Sequence, residues 1–485
     1  EAHKIDVLGR VYKQLPFEIQ TSKEIREDVR LKYRYLDLRN AKVKDNIVFR
    51  SKVISYLRQK MTDMGFLEIQ TPILCASSPE GARDYIVPSR KFKGKFYALP
   101  QAPQIYKQLL MVSGFNKYFQ IAPCFRDEDC RADRTLEFYQ LDFEMSFVTE
   151  EDVYKVGEKI FYDVFSNFTD KYVSPAPFRR IPYSEAMLKY GSDKPDLRNP
   201  LIISELTNIF KNTTFTPFIG STVRGIKVSN IEKSNSWYKK MEEYAKEIGM
   251  SGLAYLKVTE ENALKGSLDK YLTDQERSEL FTSLELKTND TLFIISDKKK
   301  CEKYAGLLRT KLGEELDLID KDRYEFCIVN DFPFYEWNEE DNKWDFGHNP
   351  FSMPQGGLDA LNNEPIESIL AYQYDFVCNG CEMASGAVRN HSIEIMKKAF
   401  ELAGYDEEVV KTKFKSLYTA FQYGAPPHAG MAPGIDRIIM LLTGEENLRE
   451  VQIFPPNVSG QDLLMGGPTE VTETQLRETH LKIRD

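Results

Sequence analysis

Carboxylates at hairpin spacing are the first residues of this chain whose types and positions could do chemistry. Leu370 to Val388 reads as two strands joined at Asn379-Gly380, a pair that favours a tight hairpin because both residues accept a left-handed backbone. With Cys378 opposite Cys381, Val377 pairs with Glu382, and Asp375 lies on the same face one diagonal step away. Two converging carboxylates suit Mg2+, which takes one or two such ligands and completes its shell with phosphate oxygens and water. The alternative is that both face solvent. Arg389 is seven residues beyond Glu382, an odd number that ideal alternation sends to the opposite face. A bulge at Ala384-Ser385-Gly386 corrects this, and glycine is a usual residue for that device.

A second constellation runs from Tyr118 to Phe147. A strand, Tyr118-Phe119-Gln120-Ile121, leads to the charged loop Arg126-Asp127-Glu128-Asp129-Cys130-Arg131-Ala132-Asp133-Arg134 and then to a strictly alternating strand. Period two puts Tyr139, Leu141, Phe143, Met145 and Phe147 on one face and Phe138, Gln140, Asp142, Glu144 and Ser146 on the other. The apolar face is core. The polar face is either solvated, as one side of an antiparallel sheet can be, or the floor of a ligand site. A third constellation, Gly424 to Arg437, sets small residues before the apolar helix Ile438 to Leu442 and its stop at Gly444. Small residues permit close backbone approach, and an arginine near a helix start can meet a phosphate. Taken singly, Arg437 is as readily a structural ion-pair partner.

These residues need elements to position them. From Asn46 to Met64, Val48, Phe49, Val53, Tyr56, Leu57, Met61 and Met64 recur at helical spacing, and Gly65 is a natural stop. The strand Phe66-Leu67-Glu68-Ile69-Gln70 follows and ends at Thr71-Pro72. Lys4 to Leu8 alternates like a strand, and Pro16 with the charged stretch Ser22 to Arg30 reads as a connector. Thr207 to about Asp320 reads as ordinary helices and strands without dense motifs, which suggests an insertion into a discontinuous catalytic unit.

The composition excludes several classes. A chain of 485 residues, 42% of them hydrophobic, can bury more than one core, and two or three domains are expected at roughly 100–200 residues each. No run approaches the ~18–20 apolar residues of a membrane helix. The 7 cysteines are odd in number and scattered, so reduced thiols in a cytoplasmic setting fit better than a disulfide framework. Cys378 and Cys381 read as thiols flanking a turn rather than as a zinc site. The net charge of −9 argues against a surface that grips nucleic acid everywhere.

Arg50 to Pro72, Cys124-Phe125-Arg126-Asp127-Glu128 with the strand after it, and Gly434-Ile435-Asp436-Arg437 resemble the three signature motifs of class II aminoacyl-tRNA synthetases. Ser78-Pro79-Glu80-Gly81-Ala82-Arg83-Asp84-Tyr85, Gln101 to Gln108 and Gly347-His348-Asn349-Pro350-Phe351 are similar to the aspartyl branch, of bacterial type. The resemblance implies an α+β fold: an antiparallel sheet flanked by helices, with an inserted α+β domain. It assigns residues 1–18 to the remnant of an N-terminal OB-fold anticodon-binding domain, 19–40 to a linker, 41–196 and 321–485 to the two parts of the catalytic domain, and 197–320 to the insertion. The second catalytic part carries a C-terminal extension.

The implied reaction joins L-aspartate to ATP and then to the 3′ end of tRNA(Asp), with tRNA(Asn) left open as a second partner. The implied assembly is a homodimer through the first motif, in the cytoplasm. Such chemistry is mostly positioning and charge neutralisation. By resemblance, Arg126 bridges the aspartate α-carboxylate and the α-phosphate, and Arg437 holds the γ-phosphate. Asp127, Glu128, Thr135, Phe138, Gly434, Ile435 and Asp436 complete the ATP site. Asp375 and Glu382 hold Mg2+, and Glu382 also touches ATP. Glu80, Gln104 and Asp142 receive the amino group of aspartate, Lys107 and Arg389 its side-chain carboxylate, and His348 closes over it. Asparagine would then strand a buried cation. An asparaginyl enzyme is opposed by Lys107 and Arg389, and a non-charging paralogue by the presence of Arg126, Arg437, Asp375 and Glu382. Ala102, Asn349 and Thr135 depart from the usual residues of the family.

Overall fold

The long helix begins before its apolar periodicity does. It spans Ala41–Asp63 because Asn40, a favoured N-cap, accepts a hydrogen bond from the Lys42 amide at 3.0 Å. Gly65 (φ 82°) follows its C-terminus as expected. In this computed structural model, which describes residues 2–77 and 81–484, the chain divides into two compact units. One comprises Glu1–Lys107, Lys117–Phe143 and Pro433–Asp485, the other Gln108–Asn116 and Glu144–Ala432.

In the first unit, Val53, Leu57 and Met61 of the long helix are buried, whereas Val48 is 44% exposed. The strand after it is shorter than expected. β1 (Leu67–Glu68) pairs in parallel with β2 (Lys117–Phe125), and beyond it the Thr71 amide donates to Gln120 Oε1 at 2.6 Å. A side chain thus replaces the next rung of the ladder. β2 is followed in the sheet by β3 (Glu137–Ser146). The helix Ile435–Thr443 starts at Gly434, which bridges Gln140, and stops at Gly444 (φ 67°).

Two N-terminal expectations change. Lys4 to Leu8 forms no strand and is exposed, since alternation without a partner strand has no ladder to join. The charged connector is instead folded into Ser22–Glu24, Glu27–Lys32 and Arg34–Asp37. The buried Asp37 carboxylate accepts from Ser22 Oγ at 2.7 Å, Arg30 Nε at 3.1 Å and Arg34 Nη1 at 2.6 Å. Arg30 also reaches Glu450 at 2.8 Å, and Arg34 the Gln452 carbonyl at 2.8 Å. A charge run that normally marks solvated chain is here a network between early and late segments.

The second unit contains a sheet and an insertion. β4 (Arg179–Pro182) precedes the segment that holds β5 (Ile203–Glu205), β6 (Thr222–Val228), β7 (Ala254–Val258), β8 (Leu264–Gly266) and β9 (Thr291–Asp297). These five form their own antiparallel sheet in the order β8-β7-β9-β6-β5. Two hydrophobic clusters share it, one including Tyr238, Phe293 and Leu308, the other Leu256, Leu280 and Leu292. After it come β10 (Phe326–Asn330), β11 (Gln373–Cys378), β12 (Cys381–Val388) and β13 (His428–Pro433), in the order β13-β12-β11-β10-β4. Antiparallel pairing predominates, with β10 parallel to β4. The helix Glu150–Phe168 lies close against this sheet through Gly157, where a Cβ would stand 2.7 Å from the Phe376 ring. The architecture is α+β.

The β11–β12 hairpin follows the sequence closely. Asn379 (φ 53°) and Gly380 (φ 80°) make the turn, with Cys378 opposite Cys381 and Val377 opposite Glu382. The bulge exists, but just before the predicted segment. Register shifts so that Phe376 faces Ala384, leaving Met383 as the extra residue and making Met383 and Ala384 consecutive buried positions. Gly386 serves a different need: a Cβ there would lie 2.5 Å from the Gly430 carbonyl oxygen. All seven cysteines are free thiols. Among the described residues, no helix is long and apolar enough to cross a membrane.

Candidate active site

In the first unit, the loop between β2 and β3 turns Arg126 back over Phe138, its guanidinium 4.9 Å from the ring centroid. The Arg126 amide bonds the Leu136 carbonyl at 2.9 Å, which fixes the loop's neck. Such stacking leaves the arginine edge, with its fork of N–H donors, directed past the ring. Asp127 is held by its amide to the Arg83 carbonyl at 3.0 Å, and Glu128 faces Arg134 at 3.5 Å. Thr135 is buried, and its hydroxyl has no hydrogen-bond partner among the described residues.

The Gly434–Arg437 segment separates into parts. Ile435 is core. Asp436 is buried and accepts from Arg50 Nη1 at 2.5 Å, the Tyr139 amide at 2.9 Å and Gln452 Nε2 at 3.3 Å. Its carboxylate therefore ties the helix start to the long helix and to β3. Arg437, in the first helical turn, lies 3.8 Å from Asp133.

The polar face of β3 is not solvated. Asp142 and Glu144 are both 0% exposed. Lys107, on the helix Gln104–Val112 that Gln104 begins, is also buried, with Nζ 2.7 Å from Asp142 Oδ1. Phe147, expected on the core face, instead lies beyond the strand with φ 58° and is 73% exposed. Glu80 lies outside the described residues.

In the second unit, Arg389 reaches Glu144 through Nε at 3.0 Å and Nη2 at 3.4 Å, and the Gly430 carbonyl at 3.4 Å. Glu144 was not singled out from sequence, although its position two residues beyond Asp142 on the same face was the available signal. Lys107 and Arg389 thus each have a carboxylate partner.

Asp375 is buried, and its Oδ1 has no hydrogen-bond partner among the described residues. Burial first, then the neighbouring charge of Glu382, push its carboxyl well above the usual carboxylate range. A divalent cation would relieve both causes, so the pair fits Mg2+. Among the described residues, no group of three His, Cys, Asp or Glu side chains is placed to hold a metal. The rest of the shell would have to come from phosphate and water. His348 is exposed, its ring edge-on to Phe332 at 4.7 Å. Asn349 accepts from the Phe351 amide at 3.0 Å and Ser352 Oγ at 3.2 Å, so it shapes the loop.

His428 is a buried histidine that the sequence reading passed over. Nδ1 lies 2.8 Å from the Pro426 carbonyl and Nε2 3.0 Å from Gln108 Nε2, an arrangement for a neutral ring that donates through Nδ1 and accepts at Nε2. Burial holds its pKa below the usual value of 6.5. Below that pH the unfolded chain takes up a proton that the folded chain refuses, so His428 makes stability fall with pH until the folded pKa is reached. Urea denaturation from pH 7 to 5 should show a slope steeper than that of His428→Gln by up to about 1.4 kcal/mol per pH unit. Parallel slopes would show that His428 is charged in the fold.

These features meet in one class of protein. A family model described as tRNA synthetases class II (D, K and N) matches residues 26–458, and the chain belongs to that family. It is also similar, at 56% identity over 481 residues, to the aspartate–tRNA(Asp/Asn) ligase of Rickettsia bellii (strain OSU 85-389), covering 97% of this chain and 80% of that protein. The ligase of the same name from Rickettsia canadensis (strain McKiel) is 56% identical over 476 residues, covering 96% and 79%. That from Rickettsia prowazekii (strain Madrid E) is 54% identical over 481 residues, covering 97% and 80%.

Proposed function

We infer that this chain is an aspartate–tRNA ligase that activates L-aspartate with ATP and transfers it to tRNA. The observation that carries the amino-acid choice is the fully buried Lys107–Asp142 pair, in a chain whose relatives are named aspartate–tRNA(Asp/Asn) ligases. A buried ion pair is seldom more stabilising than apolar residues of the same volume, and recognition of an anionic side chain gives this one a purpose.

The roles follow from charge. The α-carboxylate of aspartate attacks the α-phosphate of ATP, forming aspartyl-adenylate as the α–β phosphoanhydride breaks and pyrophosphate leaves, so two anions must be brought together. Arg126 receives both, with Phe138 stacked on adenine and the Thr135 hydroxyl beside it. Arg437 takes the γ-phosphate, with Asp436 positioning it by anchoring the helix start. Asp375 and Glu382 would hold Mg2+, which bound there supplies positive charge to the phosphate oxygens. Gln104, Asp142 and Glu80 receive the ammonium of aspartate. Lys107 and Arg389 receive its side-chain carboxylate, and His348 covers it. We assign 197–320 as an inserted domain, on the strength of its own sheet and two clusters. Exposed Val48, Leu67, Ile73 and Leu74 around the first motif support a homodimer there. The relatives' printed name favours tRNA(Asn) as a second acceptor, and the cytoplasm is the compartment where charging is used.

Pyrophosphate exchange into ATP should require aspartate and Mg2+, with asparagine giving at most about a hundredth of the aspartate rate. Equal exchange with asparagine would remove the aspartate reading. Charging of tRNA(Asp) and tRNA(Asn) transcripts in parallel decides the second acceptor.

A further inference from the structure

Lys194 has no part in the roles above. It lies in the turn after the helix Tyr183–Tyr190, which Gly191 (φ 66°) ends, and its amide donates to Ser192 Oγ at 3.0 Å. The β11–β12 hairpin closes onto the same turn: a Cβ on Gly380 would stand 3.4 Å from Asp196 Cβ and 3.8 Å from the Lys194 carbonyl oxygen. The backbone carrying Lys194 is thus held against the hairpin carrying Asp375 and Glu382. Its ammonium reaches Glu382 Oε2 at 3.1 Å and Asp193 Oδ2 at 3.9 Å.

We propose that Lys194 is the resident counter-ion of the Asp375–Glu382 pair, and that its ammonium competes with the divalent cation for Glu382. This rests on the reading of those two carboxylates as metal ligands. Two carboxylates on one hairpin face repel each other, and a single ammonium on one of them offsets part of that repulsion. A divalent cation approaching Glu382 meets a like charge about 3 Å from the oxygen it needs. The cation must displace the ammonium or share the carboxylate with it, and either costs affinity. Lys194 thereby sets how much metal the nucleotide-free protein holds and makes it a positioning residue for the metal.

Mn2+ binding to the nucleotide-free chain, read by electron paramagnetic resonance, tests this without any assay of activity. Lys194→Met should bind Mn2+ roughly tenfold more tightly than wild type, about 1.4 kcal/mol. Lys194→Gln should show the same gain, which guards against a misfolded methionine variant, while Lys194→Arg should stay near wild type. Asp375→Asn should lose the site. Unchanged or weaker binding in both neutral variants, with Asp375→Asn still losing the site, overturns the competition and leaves the metal ligands standing. Wild-type binding in Asp375→Asn overturns the metal reading and the proposal with it.

Discussion

Lys107→Met is expected to lower the stability of the chain by about 3–5 kcal/mol, because it removes the ammonium 2.7 Å from the buried Asp142 carboxylate. Aspartate-dependent pyrophosphate exchange should fall roughly a hundredfold or more, the scale on which one positioned electrostatic donor acts. The two effects have different origins and can be separated. In Lys107→Met/Asp142→Asn neither position carries a charge, so the urea midpoint should return most of the way to wild type while exchange stays low. A single variant with wild-type exchange would remove Lys107 from the site. A double variant as unstable as the single one would show that the buried Asp142 charge is not the cause.

Arg389→Met should cost a similar amount, since Glu144 is as buried as Asp142 and the arginine engages both of its oxygens. Arg389→Lys keeps the charge but loses the planar fork. It should retain more stability than the methionine variant while raising KM for aspartate about tenfold, the worth of roughly one charge-assisted hydrogen bond. KM for ATP should stay near wild type. If both KM values rise together, Arg389 acts on the fold and not on the amino acid.

Where local rules decide an element, the sequence made it legible. The hairpin register followed from Asn379-Gly380 alone, and the need for a bulge followed from counting residues between Glu382 and Arg389. Its location at Met383 was not legible, because Gly386 looked like the bulge residue while being required for close approach to Gly430. The alternation of β3 identified the face carrying Asp142 and Glu144. Whether that face was wet depended on contacts distant in sequence, and Arg389 lies 245 residues from Glu144. The charged N-terminal segment misled for the same reason: Arg30, Arg34 and Asp37 look solvated until residues near 450 meet them. Asp436, grouped with its neighbours by motif, turned inward toward Arg50 and Tyr139 through contacts that no local pattern encodes.

The Arg30–Glu450 pairing joins groups 420 residues apart. During synthesis at roughly 5–20 residues per second, Arg30 leaves the ribosome roughly 20–80 seconds before its partner exists. For that interval, Arg30, Arg34 and Asp37 have no buried place to occupy, and the helices that carry them cannot settle. The second unit, which ends at Ala432, can meanwhile complete its sheet. Order of synthesis and order of burial therefore differ here: the residues near 30 are made long before the environment that buries them. A chaperone that shields them during that interval should improve yield without changing the finished enzyme.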